Sequence, residues 1–328
     1  LSEVKPERNL ALELVRVTEA AALAAAPWVG RGDKISADNA AVNAMRFILA
    51  SVDIDGTIVI GEGEKDNAPW LYNGEKVGNG KGPKVDVAVD PIDGTSLTAN
   101  GQLNALSVIA LADQGSLYSP KSVFYMNKIC VGPDAKDAVD IDAPVAENLR
   151  KVAIAKEKRV SDLTVMLLNR PRNDEMIKQI RLAGARIRLI QDGDVAGAVM
   201  AARPNTGVDL MMGIGGTPEG VIAACAMLTL GGTLQGRLAP QLEDEKRNAA
   251  AEGLDLKQVL HTHDLVKSQN SFFAATGITD GELLMGVRYE ATGATTQSIA
   301  LRSRSGTVRI VNGEHRPEKL VGLLNSIG

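Results

Sequence analysis

The sequence predicts an α/β protein with layered sheets, and three observations carry that prediction. Segments with strand character and segments with helical periodicity alternate along the 328 residues. Apolar residues make up 45% and charged residues 23% of the chain, the balance of a packed globular protein and not of a disordered one. The strand-like segments are short apolar runs that empty into glycine or aspartate turns. Aromatic residues are only 3%, so the core is expected to rest on small and aliphatic side chains.

Taken in order, residues Arg8 to Ala26 have helical periodicity with few breakers, and Gly30-Arg31-Gly32-Asp33-Lys34 is a loop. Ser36 is placed to cap a helix from about Ala37 to Ser51, with Asp38 in its first turn, where the helix dipole favours a carboxylate. After an Asp55-Gly56 turn, Thr57 to Ile60 is a strand that runs into Gly61-Glu62-Gly63-Glu64. A second strand, Val85 to Asp90, ends in Pro91-Ile92-Asp93-Gly94-Thr95, and another follows at Ala105 to Ala112. Leu163 to Leu168 and Ala185 to Ile190 read as buried strands. The glycine-rich stretch Met211 to Gly220 opens a helix over Pro218 to Leu230, with Thr217 suited to its N-cap and Pro218 to its first position. Leu242 to Asp255 is expected to be a solvated helix. The chain divides, on this reading, into lobes 1–160 and 161–328.

Bulk charge narrows the function. A net charge of −4 and an isoelectric point of about 5.6 do not suit a nucleic-acid binder, because a phosphate backbone calls for a basic surface. There is no apolar run long enough for a membrane helix, and the amphipathic N-terminal stretch does not read as a secretory signal. Cys130 and Cys225 sit in apolar surroundings and read as buried thiols of a reducing cytoplasm. His261, His263 and His315 lie in polar segments and read as surface residues.

The informative pattern is acidic. Asp38, Glu62, Asp90, Asp93 and Glu219 fall at strand ends and helix starts, most of them beside glycine or a turn. Hard cations such as Mg²⁺ and Mn²⁺ take oxygen ligands, whereas zinc sites draw on cysteine and spaced histidine. Read one at a time, such acids are solvated turn residues; their shared setting points to a cation. In the string Asp90-Pro91-Ile92-Asp93-Gly94-Thr95, a buried strand delivers Asp90 to the end of a sheet. Pro91 stiffens the exit and Gly94 permits an unusual backbone angle. The Thr95 hydroxyl then lies close to the acids, and the backbone N–H groups of Gly94 and Thr95 can hold a phosphate.

This string, with Gly-Glu-Gly-Glu upstream, resembles the Li⁺-sensitive inositol monophosphatase and fructose bisphosphatase superfamily of metal-dependent phosphatases. Gly30 to Lys34 with Asp38 behind it, Asn169-Arg170-Pro171-Arg172, and Gly213-Ile214-Gly215-Gly216-Thr217-Pro218-Glu219-Gly220 narrow the resemblance to bacterial class II fructose-1,6-bisphosphatase, from about residue 9 to residue 315. The resemblance implies an αβαβα layered sandwich, a cytoplasmic gluconeogenic enzyme and a homo-oligomer, dimer or tetramer. It implies Mn²⁺ or Mg²⁺ as cofactor, with Asp38 and Glu62 as ligands of one metal and Asp90, Asp93 and Glu219 as ligands of another. It makes Thr95 the catalytic hydroxyl, and it puts the substrate contacts at Asp93, Gly94, Thr95, Tyr125, Arg170, Pro171, Arg172, Asp192, Gly193, Asp194 and Gly216.

Inositol monophosphatases of the superfamily carry a late Trp-Asp motif. Here Glu219 takes the place of that aspartate, which favours the bisphosphatase branch. The implied reaction is hydrolysis of the 1-phosphate of fructose 1,6-bisphosphate. The competing readings are a phosphatase for sedoheptulose 1,7-bisphosphate or an inositol phosphate, and a silent sugar-phosphate-binding regulator. A nucleotide-dependent dehydrogenase is disfavoured, since Pro218 occupies the place of the last glycine of a dinucleotide fingerprint.

Overall fold

The structure is a computed structural model that describes residues 9–61 and 71–316. Two mixed sheets organise it. The first contains β1 (Asp55–Ile60), β2 (Lys76–Val77), β3 (Lys84–Asp93), β4 (Leu106–Asp113), β11 (Phe272–Gly277), β12 (Arg288–Glu290), β13 (Gly293–Arg302) and β14 (Thr307–His315). Its order is β12-β13-β11-β4-β3-β1-β2, with β14 alongside β13. The second contains β5 (Tyr125–Val131), β6 (Thr164–Leu168), β7 (Arg186–Ile190), β8 (Leu210–Gly216), β9 (Thr233–Leu238) and β10 (Leu260–His261), in the order β10-β9-β5-β8-β6-β7.

Helices fill the layers around and between these sheets. Helices α1 (Ala11–Ala25) and α2 (Lys34–Leu49) share an apolar cluster with Val85, Val87 and Val89 on the outer face of the first sheet. Helices α6 (Asp194–Ala202) and α7 (Thr217–Leu230) pack between the sheets, against Ala88 and Val108 on one side and Met126, Cys130 and Met211 on the other. Helices α4 (Val145–Ala155) and α5 (Asp174–Leu182) cover the outer face of the second sheet through Leu149, Ile177 and Ile180. This is the αβαβα sandwich. Three short or peripheral helices complete the described residues: α3 (Thr95–Ala99), α8 (Glu243–Glu252) and α9 (Thr262–Leu265).

The middle helix layer explains the composition. Helices α6 and α7 are covered on both sides, and their interiors are built largely from Ala, Gly, Val, Met and Cys. Small side chains let each helix approach two sheets at once. Cys130 and Cys225 are both free and buried here, and burial pushes both thiols up to about 12. The native protein should therefore leave both thiols unreacted with a thiol reagent over minutes at about pH 8, and expose both once denatured. A fast-reacting thiol in the native state would contradict this packing.

Several sequence expectations need correction. The cap of α2 is Asp33 and not Ser36: Asp33 Oδ1 accepts the Ser36 N–H at 3.0 Å and its Oδ2 accepts the Ser36 hydroxyl at 2.7 Å. The helix therefore begins at Lys34, and Asp38 falls in its second turn. Helix α7 begins at Thr217 with Gly216 as its cap, a shift of one residue. Strand β7 is not buried, because it is the edge of its sheet, and its arginines 186 and 188 face water or the rim. His315 is half-buried and meets Thr296 Oγ1 at 2.9 Å, whereas His261 and His263 are exposed. Strand β5 belongs to the second sheet, and β11 to β14 return to the first. Among the described residues, no helix is long and apolar enough to cross a membrane.

Candidate active site

The site lies where strand ends and the N-termini of the two interlayer helices meet. In β3, Val85, Val87 and Val89 face α1 and α2, while Ala88 faces α6 and α7. Strict alternation would turn residue 92 toward the interlayer and residue 93 away. The pairing with β4 instead slips between Asp90, opposite Val108, and Asp93, opposite Leu106. Ile92 joins the outer cluster, and Asp93 is turned toward α6 and α7. The slip is a bulge, the place where a strand tolerates proline and re-aims a side chain. Ile92 N–H donates to Asp90 Oδ1 at 3.0 Å and closes the turn. Gly94 then takes φ 102°, a left-handed angle that suits glycine, and α3 starts at Thr95.

Asp93 is 2% exposed. The backbone of Ala196, in the first turn of α6, faces the carboxylate and works to lower its pKa, yet Asp93 Oδ2 has no hydrogen-bond partner among the described residues. Burial pushes its pKa far above the usual carboxylate range, and the neighbouring charges of Asp194, Glu219 and Asp192 push it further in the same direction. Asp192 Oδ2 accepts the Ser96 N–H at 3.3 Å, which ties the 192–194 turn to the start of α3. Asp194 opens α6 and Glu219 sits in the first turn of α7, where the helix dipoles favour negative charge.

The glycines before α7 make room for these carboxylates. A Cβ on Gly216 would overlap the Glu219 carboxylate, and one on Gly215 would overlap Asp194 Oδ2. Glu219 is thus folded back onto the backbone at the end of β8. Strand β5 runs antiparallel to β8 and sets Tyr125 opposite Gly216. The guanidinium of Arg172 lies over the Tyr125 ring, 4.5 Å from its centroid, and its Nε donates to Ile214 O at 3.0 Å. Both side chains are half-buried. Tyr125 is therefore a rim residue and not core, because the strand emerges from the sheet there. Pro171 begins the turn that carries Arg172, and Arg170 reaches Asp192 Oδ1 at 3.9 Å.

Most of the expected residues fall in this region. Asp93, Gly94, Thr95, Tyr125, Arg172, Asp192, Gly193, Asp194, Gly216 and Glu219 are joined by the contacts just described. Asp38 is half-buried on α2, which packs on β3 and α3. Glu62 lies outside the described residues. Among the described residues, no three acidic, histidine or cysteine side chains form a closed metal-coordinating set. The acids around Asp93 are within electrostatic reach of one another without meeting at a single point.

The donor set nonetheless fits a hard divalent cation. It consists of oxygens, and the buried Asp93 Oδ2 among them has no hydrogen-bond partner among the described residues, a place a cation would fill.

Lys128 is a further residue of the site, not expected from the sequence. It is 2% exposed, and its Nζ donates to Asp194 Oδ2 at 2.6 Å and to Gly216 O at 2.8 Å. The available signal was a lone lysine between Met126 and Cys130, at every second position of an apolar strand. Lys34 is a lesser omission; its Nζ donates to Ser96 Oγ at 2.8 Å.

Residues 8–315 match the family described as bacterial fructose-1,6-bisphosphatase, glpX-encoded. A relative from Haemophilus influenzae named fructose-1,6-bisphosphatase class 2 is 48% identical over 331 residues, covering 97% of this chain and 99% of its own. One from Escherichia coli strain K12 named fructose-1,6-bisphosphatase 1 class 2 is 47% identical over 321 residues, covering 94% of this chain and 95% of its own.

Proposed function

The chain belongs to the bacterial, glpX-encoded fructose-1,6-bisphosphatase family and is a phosphoric monoester hydrolase acting on fructose 1,6-bisphosphate, and we propose that the Asp90–Thr95 bulge is where it cuts the 1-phosphate. The observation that carries this reading is Asp93, buried with an unpartnered oxygen two residues before the Thr95 hydroxyl. The role is gluconeogenic, in keeping with the family.

Each divalent cation, Mn²⁺ or Mg²⁺, would have its own set of ligands, Asp38 and Glu62 for one and Asp90, Asp93 and Glu219 for the other. When bound, it supplies charge neutralisation for the phosphoryl oxygens and a more acidic water. The chain's own groups do the rest. Gly94 and Thr95 N–H groups face the scissile phosphate from the start of α3. Thr95 Oγ1, which rests on Ile92 O at 3.3 Å, is poorly held there and is free to turn to the attacking oxygen. It orients or relays the proton of water, or attacks directly. Asp192 and Asp194 flank the sugar, with Gly193 between them.

Arg172 binds the phosphate that is not cleaved. Its Nε is anchored to Ile214 O and its plane rests on Tyr125, so the terminal nitrogens are oriented before substrate arrives. Charge-assisted hydrogen bonds contribute roughly 1.5–3 kcal/mol each. Arg172→Ala should raise KM for fructose 1,6-bisphosphate about ten- to a hundredfold, since about 1.4 kcal/mol is tenfold, with kcat held.

The testing experiment measures phosphate release from fructose 1,6-bisphosphate, sedoheptulose 1,7-bisphosphate, an inositol phosphate and fructose 1-phosphate. Fructose 1,6-bisphosphate should be preferred, and fructose 1-phosphate should be nearly indifferent to Arg172→Ala. Equal losses on both fructose substrates would move Arg172 to the scissile phosphate, and a preference for the inositol phosphate would overturn the bisphosphatase reading.

A homo-oligomer, dimer or tetramer, in the cytoplasm is the proposed working state. Exposed Val308 and Ile310 on β14 offer a face to a second copy, and the buried free thiols suit a reducing compartment.

A further inference from the structure

Lys128 stands in β5 between Met126 and Cys130, and none of the three is more than 2% exposed. An ammonium in such a row is strongly disfavoured unless it is paired and hydrogen-bonded. Lys128 has both. Its Nζ meets Asp194 Oδ2 at 2.6 Å and Gly216 O at 2.8 Å. Its stem runs under the first turn of α7: a Cβ on Gly220 would meet Lys128 Cδ at 3.1 Å. Burial alone would pull its pKa down, but the charges of Asp194 and Glu219 outweigh burial and hold it above the ordinary lysine value. One positive charge is thus fixed at the junction of β5, the end of β8 and the starts of α6 and α7.

We propose that Lys128 is a positioning residue and a built-in counter-cation: it fixes Asp194 and the Gly216 carbonyl, and its charge weakens the hold of the neighbouring carboxylates on a divalent cation. The consequence is a metal site with its own partial neutralisation, which keeps its shape when empty and binds metal less tightly than its acid count implies. This rests on the metal-holding reading of the site.

The sign of one effect separates this from a plain structural role. Removing a positive charge near Glu219 should tighten cation binding, because a unit charge and a divalent ion a few ångströms apart repel strongly in a partly buried site. Removing a strut should loosen it.

The experiment titrates Mn²⁺ into chelator-stripped protein by calorimetry, with thermal melts to check folding. Lys128→Met, uncharged and of similar length, should bind Mn²⁺ about tenfold or more tightly than the unmutated protein. The double variant Lys128→Met with Asp194→Asn removes both charges and should return to within about threefold. Equal or weaker binding in a cooperatively melting Lys128→Met overturns the proposal. If that variant does not fold, the comparison moves to Asp194→Asn with and without Lys128→Met. There the double variant should bind about tenfold more tightly, and equal or weaker binding again overturns it. An unmutated protein that takes up no Mn²⁺ removes the metal site itself, and the proposal with it.

Discussion

Thr95→Ala is expected to lower kcat on fructose 1,6-bisphosphate by about 10²-fold or more while KM changes little. A positioned proton-transfer group contributes about that much to a rate, and its loss falls on the transition state and not on ground-state binding. The structure sharpens the expectation. Thr95 is the first residue of α3 and is half-buried, and its hydroxyl rests on Ile92 O through a long contact. That bond contributes little to the helix start, whose turn is already set by Gly94 and by the bond between Ile92 and Asp90. The alanine variant should therefore melt within a few degrees of the parent, and the loss should appear in turnover alone. Thr95→Ser should retain part of the rate. A variant with normal kcat would reduce Thr95 to a structural residue.

Gly216→Ala is expected to be nearly as damaging, for a different reason. Gly216 has φ −69° and ψ 141°, angles that alanine adopts freely, so the backbone does not object. The obstacle is the Glu219 carboxylate, which occupies the space of the missing Cβ. A methyl there must push Glu219 out of the site. Displacing a side chain that holds or orients a metal typically costs about 10- to 100-fold in metal affinity or activity, and the Mn²⁺ requirement should rise accordingly. Glu219→Gln, which keeps the shape and removes the charge, should raise it as well. Because both changes act through one carboxylate, the double variant should be no worse than the more severe single one. Additive losses would show that Gly216 acts on substrate independently of Glu219. Steady-state kinetics across a Mn²⁺ titration reads all three.

Much of this site was legible as a string because turn chemistry is local. Pro91, Gly94 and the acids around them have meanings that do not depend on what lies across the molecule. The bulge was not legible. It is a property of the pairing between β3 and β4, and only the slipped register turns Asp93 inward. Lys128 was passed over because a lone lysine usually marks a solvated position, and its partner Asp194 lies 66 residues away. The buried reading of Ala185 to Ile190 failed because apolar content cannot distinguish an edge strand from a central one. The return of β11 to β14 by antiparallel pairing to the sheet begun by β1 was not legible either, because it joins segments far apart in the chain. The helix cap was misplaced by three residues because Asp33 and Ser36 are both good caps, and the carboxylate could accept from both the amide and the hydroxyl of Ser36.

This carboxylate cluster is expected to work only around a divalent cation, and a chelation experiment can check it. Phosphate release from fructose 1,6-bisphosphate is followed in protein stripped with EDTA, then after Mn²⁺ or Mg²⁺ is restored in excess of the chelator. The stripped protein should show no turnover, and either ion should restore it. Full turnover in thoroughly metal-free protein would contradict this, and would leave the buried charge around Asp93 without the role given to it here.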